Sequence, residues 1–91
     1  MIPVQQFMPA AVAEILRKAP LTPEKVAFAW RTAVGPAVAK ATSVELRDGV
    51  LRVRAREVTW LREVERSAPL IRSRLATVLG NVVGSIETTH G

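Results

Sequence analysis

Asp48-Gly49 stands between two runs of alternating apolar residues, 43–47 and 50–56. A two-residue hairpin turn needs positive φ at both central positions, which Asp tolerates and Gly adopts freely. Taken as such a turn, the pair fixes a register: Arg47 opposite Val50, Leu46 opposite Leu51, Glu45 opposite Arg52, Val44 opposite Val53, and Ser43 opposite Arg54. Side chains alternate along a strand, so Val44, Leu46, Leu51, Val53 and Ala55 share one face. The other face carries Ser43, Glu45, Arg47, Val50, Arg52, Arg54 and Arg56. A slip of one residue would set the apolar set of one strand against the charged set of the other. The sequence therefore predicts a ribbon with a buried side and a wet side, the wet side bearing four arginines and one carboxylate.

That asymmetry agrees with the charge of the whole chain. Its 13 basic and 8 acidic residues leave +5, and arginine supplies most of the basic side. Guanidinium presents a planar fork of donors suited to phosphate, so a polyanionic partner such as nucleic acid is favoured over a merely solvated basic surface. The 91 residues, 48% of them hydrophobic, suit one globular domain over residues 1–91. A chain of this size buries roughly 60–65% of its unfolded surface. The absence of cysteine excludes disulfides and thiolate metal sites and fits a cytoplasmic location. Met1 to Leu16 has no basic leader or cleavage pattern and is not read as a signal peptide. No apolar run approaches the roughly 18 residues of a membrane span, so no membrane partner is expected.

Around the hairpin, apolar spacing predicts helices. Val4, Phe7, Met8, Ala11, Val12, Ile15 and Leu16 form one stripe, with Pro9 either kinking the helix or marking its first turn. Thr22-Pro23-Glu24 is a helix start: a capping hydroxyl, a proline suited to the first turn, and an acid that complements the dipole. Val26, Trp30, Ala33 and Val34 follow as its buried stripe, and Gly35-Pro36 ends it in a left-handed conformation. Residues 36–41 make one short turn of helix. Beyond the hairpin, Trp60, Val64, Ala68, Ile71, Leu75, Val78 and Leu79 keep helical spacing, broken near Ser67 by Pro69, with Ser67 as the cap of the second segment. The β-branched stretch Val82 to Thr89 reads as a third strand, with Gly84, Ile86 and Thr88 inward. The order is α-α-β-β-α(α)-β: a two-layer α+β domain whose three-stranded mixed sheet carries helices on one face and arginines on the other.

Candidate binding residues follow. Arg47, Arg52, Arg54 and Arg56 line the wet face of the ribbon as a phosphate track. Arg62, Arg66, Arg72 and Arg74 form a second group, interleaved with Glu63 and Glu65, that reads first as helix-surface charge. Arg62 and Arg66 lie nearest the ribbon in sequence and join the candidate set. All four aromatic residues (Phe7, Phe28, Trp30, Trp60) fall on helices, so recognition would address the backbone with weak sequence preference. Trp30 and Trp60 read first as core residues; Phe28 and Trp60 are the candidates for contact with a protein partner. No metal-ligand spacing, nucleophile–base pair or phosphate loop is present, and the lone His90 is at the C-terminal end, so neither an enzyme nor a cofactor is expected.

The element order, with its helix broken at Pro69, is similar to the type II KH arrangement. Trp30-x3-Val34-Gly35-Pro36, Asp48-Gly49-x-Leu51-x-Val53, Trp60-Leu61-x2-Val64 and Ile71-x3-Leu75, in that order, resemble the DciA family of bacterial proteins linked to the replicative helicase. The resemblance runs from about Phe7 to Ile86. It implies a KH-like domain and a non-enzymatic adaptor in replication initiation, with DNA and the helicase as partners. Members often continue into a flexible tail thought to engage the helicase, whereas Gly91 here directly follows the third strand. A nucleic-acid-binding KH domain also carries Gly-x-x-Gly between its central helices, where this chain has Arg66-Ser67-Ala68-Pro69; the standard KH grip on nucleotides is therefore not expected. Two alternatives stand beside this reading: an RNA-binding KH-like module, and a protein-interaction domain without nucleic-acid affinity, working through Phe28 or the open sheet edges, including as a homodimer.

Overall fold

The turn at Asp48-Gly49 forms with φ of 51° and 78°. It joins β1 (Thr42–Arg47) to β2 (Val50–Ala55) in the antiparallel register the alternation predicts, from Arg47 opposite Val50 to Ser43 opposite Arg54. A computed structural model describes residues 9–91. In it β3 (Ser85–His90) lies parallel to β2, pairing Arg52 with Glu87 and Val53 with Thr88. The strand order is β1-β2-β3, so the ribbon's second strand is the centre of the sheet.

β3 is displaced from the Val82–Thr89 reading. Gly80, at φ 71°, ends the preceding helix, and residues 80–82 make one 3-10 turn. The amides of Gly84 and Ser85 then both donate to the Gly49 carbonyl, at 2.7 and 3.2 Å. The chain is thus pinned at the hairpin tip before it can begin pairing, and this overrides the strand propensity of Val82 and Val83. A Cβ on Gly84 would lie 3.4 Å from that same carbonyl oxygen, which suits glycine there.

Five helices complete the described chain: α1 (Ala10–Lys18), α2 (Pro23–Val34), α3 (Pro36–Ala41), α4 (Val58–Arg66) and α5 (Ala68–Leu79). α2 and α3 pack on β1, α4 packs on β2 and β3, and α1 and α2 pack on α5. The helices cover the apolar side of the sheet, and the result is an α+β domain with a three-stranded mixed sheet. Leu51, Val53 and Ala55 are buried beneath them, with Trp30, Val64, Ile71, Leu75, Val78 and Leu79. Trp30 takes the core position expected of it, and its Nε1 donates to Thr42 Oγ1 at 2.9 Å. That hydroxyl donates to the Val38 carbonyl at 2.7 Å, so one polar chain joins α2, α3 and β1.

The start of α2 forms as read, with Lys25 N donating to Thr22 Oγ1 at 3.1 Å. Its end differs in detail. Gly35 has φ 88° and ψ 166°, outside the left-handed helical region and in one that is essentially restricted to glycine. A Cβ there would meet nothing within 4 Å, so the cost of a side chain is carried by the backbone alone. Gly35→Ala is expected to destabilise the domain by about 1–3 kcal/mol. Thermal unfolding followed by circular dichroism should show a fall of about 4–8 °C for each kcal/mol lost.

The helical stripes required three corrections. Val4, Phe7 and Met8 lie outside the described residues. Within α1, which starts directly after Pro9, Ala13 is the buried residue and Leu16 packs against the core, while Val12 and Ile15 are exposed, Ile15 at 68%. Ser67 marks the break between α4 and α5 but makes no side-chain cap. Finally, α4 turns Leu61 and Val64 inward, and Trp60, at the margin of that contact, is only half-buried and is not a core residue.

Candidate nucleic-acid interface

Arg47, Arg52, Arg54 and Arg56 are all exposed on the side of the sheet away from the helices. Their neighbours divide them. The ladder places Arg52 between Glu45 on β1 and Glu87 on β3. Arg52 Nε lies 3.6 Å from Glu87 Oε1, and Arg47 Nε lies 3.8 Å from Glu45 Oε1. Toward the hairpin tip, two guanidiniums are therefore balanced by two carboxylates, one more than the hairpin alone implied. Such exposed pairs stabilise little, at most about 1 kcal/mol each, but their carboxylates offset part of the positive field that a distant phosphate meets.

Arg54 and Arg56 have no ion pair among the described residues. Arg54 stands between Ser43 and Thr89, and Arg56 follows the last residue of β2. The backbone here is held from the C-terminal side: His90 Nε2 donates to the Arg56 carbonyl at 2.6 Å, and Gly91 N donates to the Ala55 carbonyl at 2.9 Å. Both arginines line an open hollow of about 490 Å³ together with Lys40, from the end of α3, Trp60, from the first turn of α4, and one carboxylate side chain, Glu57, just ahead of α4, so that cationic side chains outnumber acidic ones there by three to one. Trp60 also borders a neighbouring hollow with Arg62 and Arg66. Arg66 is paired with Glu63 one turn earlier, whereas among the described residues no ion pair involves Arg62.

The structure thus gathers Lys40, Arg54, Arg56, Trp60 and Arg62 into one strip at the end of the sheet remote from the hairpin tip, with Arg66 at its margin. It leaves Arg47 and Arg52 outside that strip. Lys40 and Glu87 were not legible as site residues: Lys40 depends on how α3 is seated at the start of β1, and Glu87 on the pairing of β3 with β2, neither of which the sequence pattern specifies. Arg72 and Arg74 are bound to the fold, Arg72 Nη2 to the Gly84 carbonyl at 3.1 Å and Arg74 Nη1 to the Ala33 carbonyl at 3.0 Å.

The strip's chemistry is that of a phosphate track. Guanidinium forks and an ammonium group address phosphate oxygens, and a half-exposed indole beside them offers one stacking surface for an unpaired base. Phe28 is 48% exposed on α2, in the helical layer, and borders neither of the hollows that the arginines line. Among the described residues no cluster of His, Cys, Asp or Glu is arranged to hold a metal ion, and no helix is long and apolar enough to cross a membrane.

A family model described as Dna[CI] antecedent, DciA, matches residues 3–88 of the 91. The match takes in the whole hairpin, both tryptophans and the broken helix. No curated protein and no solved structure matches the chain.

Proposed function

The chain belongs to the DciA family, and from that premise we propose that it is a helicase-loader-type adaptor of DNA replication which holds DNA by its backbone at the basic end of its sheet. The carrying observation is the segregation of charge. Lys40, Arg54, Arg56 and Arg62 have no ion pair among the described residues, while Arg47 and Arg52 face carboxylates. DNA displaces counterions from these cations, and the entropy of that release drives association with little regard for sequence. Trp60, which the sequence placed with the protein-partner candidates, belongs on this reading to the DNA strip. Phe28 is the residue left to meet the replicative helicase, and its place on the helical layer lets both partners bind together.

Fluorescence anisotropy with labelled single-stranded DNA, duplex DNA and single-stranded RNA of equal length, titrated at several salt concentrations, tests the reading. Four contacting cations predict that log K falls against log salt with a slope of roughly −3 to −4. A clear preference for RNA would favour the RNA-binding alternative. Absence of binding to any of the three at about 50 mM salt would leave a protein-interaction domain. A pull-down with the host's replicative helicase, with and without DNA, tests the other half: Phe28→Ala is expected to weaken helicase capture and leave the DNA titration unchanged.

A further inference from the structure

β1 is an edge strand. Because the turn has two residues, Arg47 and Val50 form the closing hydrogen-bonded pair, and the antiparallel alternation turns the N–H and C=O groups of Val44 and Leu46 away from β2, toward the open side. Beside this edge runs a groove of about 340 Å³ lined by Leu21, Pro23 and Val26 of the helical layer and by Val44 and Leu46 of the strand. Unpaired backbone groups next to an apolar wall form a template for strand addition.

We propose that a second copy of this chain occupies it, β1 against β1 in antiparallel pairing about a two-fold axis. The strand complements itself. With Leu46 opposite Leu46 on the axis, each Glu45 faces Arg47 of the other copy, giving two equivalent ion pairs on the wet side of the ladder. On the other side, the Leu46 pair falls between the two Leu21–Val26 walls. A register shifted to put Glu45 on the axis would oppose two like charges, which costs stability in a sheet. The other free edge lacks this property. β3 places Ser85, Glu87 and Thr89 on the wet face, with no Lys or Arg of its own to meet Glu87 of a second copy, and its inward Thr88 hydroxyl donates to Glu65 Oε2 at 2.9 Å. Of the two edges only β1 is self-complementary in charge. In this register the ladder spans only residues 45–47 of each copy, since Val44 comes level with Asp48 in the other copy's turn, and so small an isologous contact falls among weak, micromolar associations. It extends the sheet to six strands with both arginine faces on one side.

Sedimentation equilibrium of the protein without nucleic acid, over about 5–500 μM, tests the proposal. The unaltered chain is expected to pass from monomer to dimer in this range. Glu45→Arg and Arg47→Glu, each alone, oppose like charges at both ends of the ladder and should weaken self-association about tenfold or more. An equimolar mixture of the two variants restores attraction at both positions and should dimerise at least as well as the parent. Both side chains are well exposed, so circular dichroism should report the same fold for every sample. A monomer throughout the range overturns the proposal and assigns the groove to another occupant, such as an extended peptide of a partner protein. A dimer indifferent to both substitutions, or a mixture that stays monomeric, overturns it equally, because association would then use a different face or register.

Discussion

Replacing Lys40, Arg54 and Arg56 together by serine is expected to weaken DNA binding by about two orders of magnitude at about 0.1 M salt, and to flatten the salt dependence by two to three units of slope. The size follows from counterion release. Each phosphate contact contributes about 0.7–0.9 to the slope, which at about 0.1 M salt is worth roughly five- to eightfold in affinity. The paired control removes both ion pairs whole, Arg47→Ser and Arg52→Ser together with Glu45→Ser and Glu87→Ser. Each guanidinium goes with the carboxylate that lies within 4 Å of it, so the net charge of this half is unchanged and affinity should change by less than about threefold. Equal losses in the two variants would mean that DNA reads the whole face and that the division into a neutral and a basic half has no functional weight. An unchanged slope in the first variant would remove the strip from consideration altogether. Because all seven side chains lie on the surface, each substitution should alter thermal stability by no more than about 0.5 kcal/mol.

The second large effect concerns the core. Leu51→Ala is expected to cost about 2–5 kcal/mol in urea-induced unfolding. A domain of 91 residues has only roughly 5–14 kcal/mol to lose, so the variant should be substantially unfolded at temperatures the parent tolerates. Leu51 lies on the central strand, opposite Leu46 on one side and Ile86 on the other, and it is 0% exposed. Neighbours on both strands limit how far the cavity can collapse, which places the site toward the costly end of that range. Leu70→Ala, at an exposed leucine in the first turn of α5, should fall within about 0.5 kcal/mol of the parent. If the two leucines behaved alike, the apolar side of the sheet would not be the centre of the fold.

The hairpin was readable from sequence because everything that determines it is local. Asp48 and Gly49 select the turn, the turn sets the register, and the register assigns each side chain to a face. The same holds for Thr22 as a cap and for the helix break near Ser67. What escaped the reading depends on distant partners. Trp60 stands four residues before the buried Val64 and shares its stripe by spacing, but α4 is seated on β2 and β3 with Leu61 and Val64 inward, which leaves Trp60 at the margin of the contact. Ile15 belongs to an apolar stripe by periodicity, yet α5 meets the Ala13 side of α1. The candidate site was legible as a class of residues but not as a place. Its basic end is defined by subtraction, through the pairing of Arg52 with Glu87, and that pairing depends on a parallel neighbour arriving from more than 30 residues downstream.

The carbonyl of Gly49, which receives amides from both Gly84 and Ser85, ties the length of the turn to that arrival. One residue inserted at the bend would lengthen the tip and shift the point at which the third strand enters. Every rung of the parallel ladder would then be re-indexed, and Glu87 would no longer come level with Arg52. A change confined to the bend would thereby release a cation on the far strand, so the electrostatic character of this surface can be altered by loop length alone, with no charged residue gained or lost.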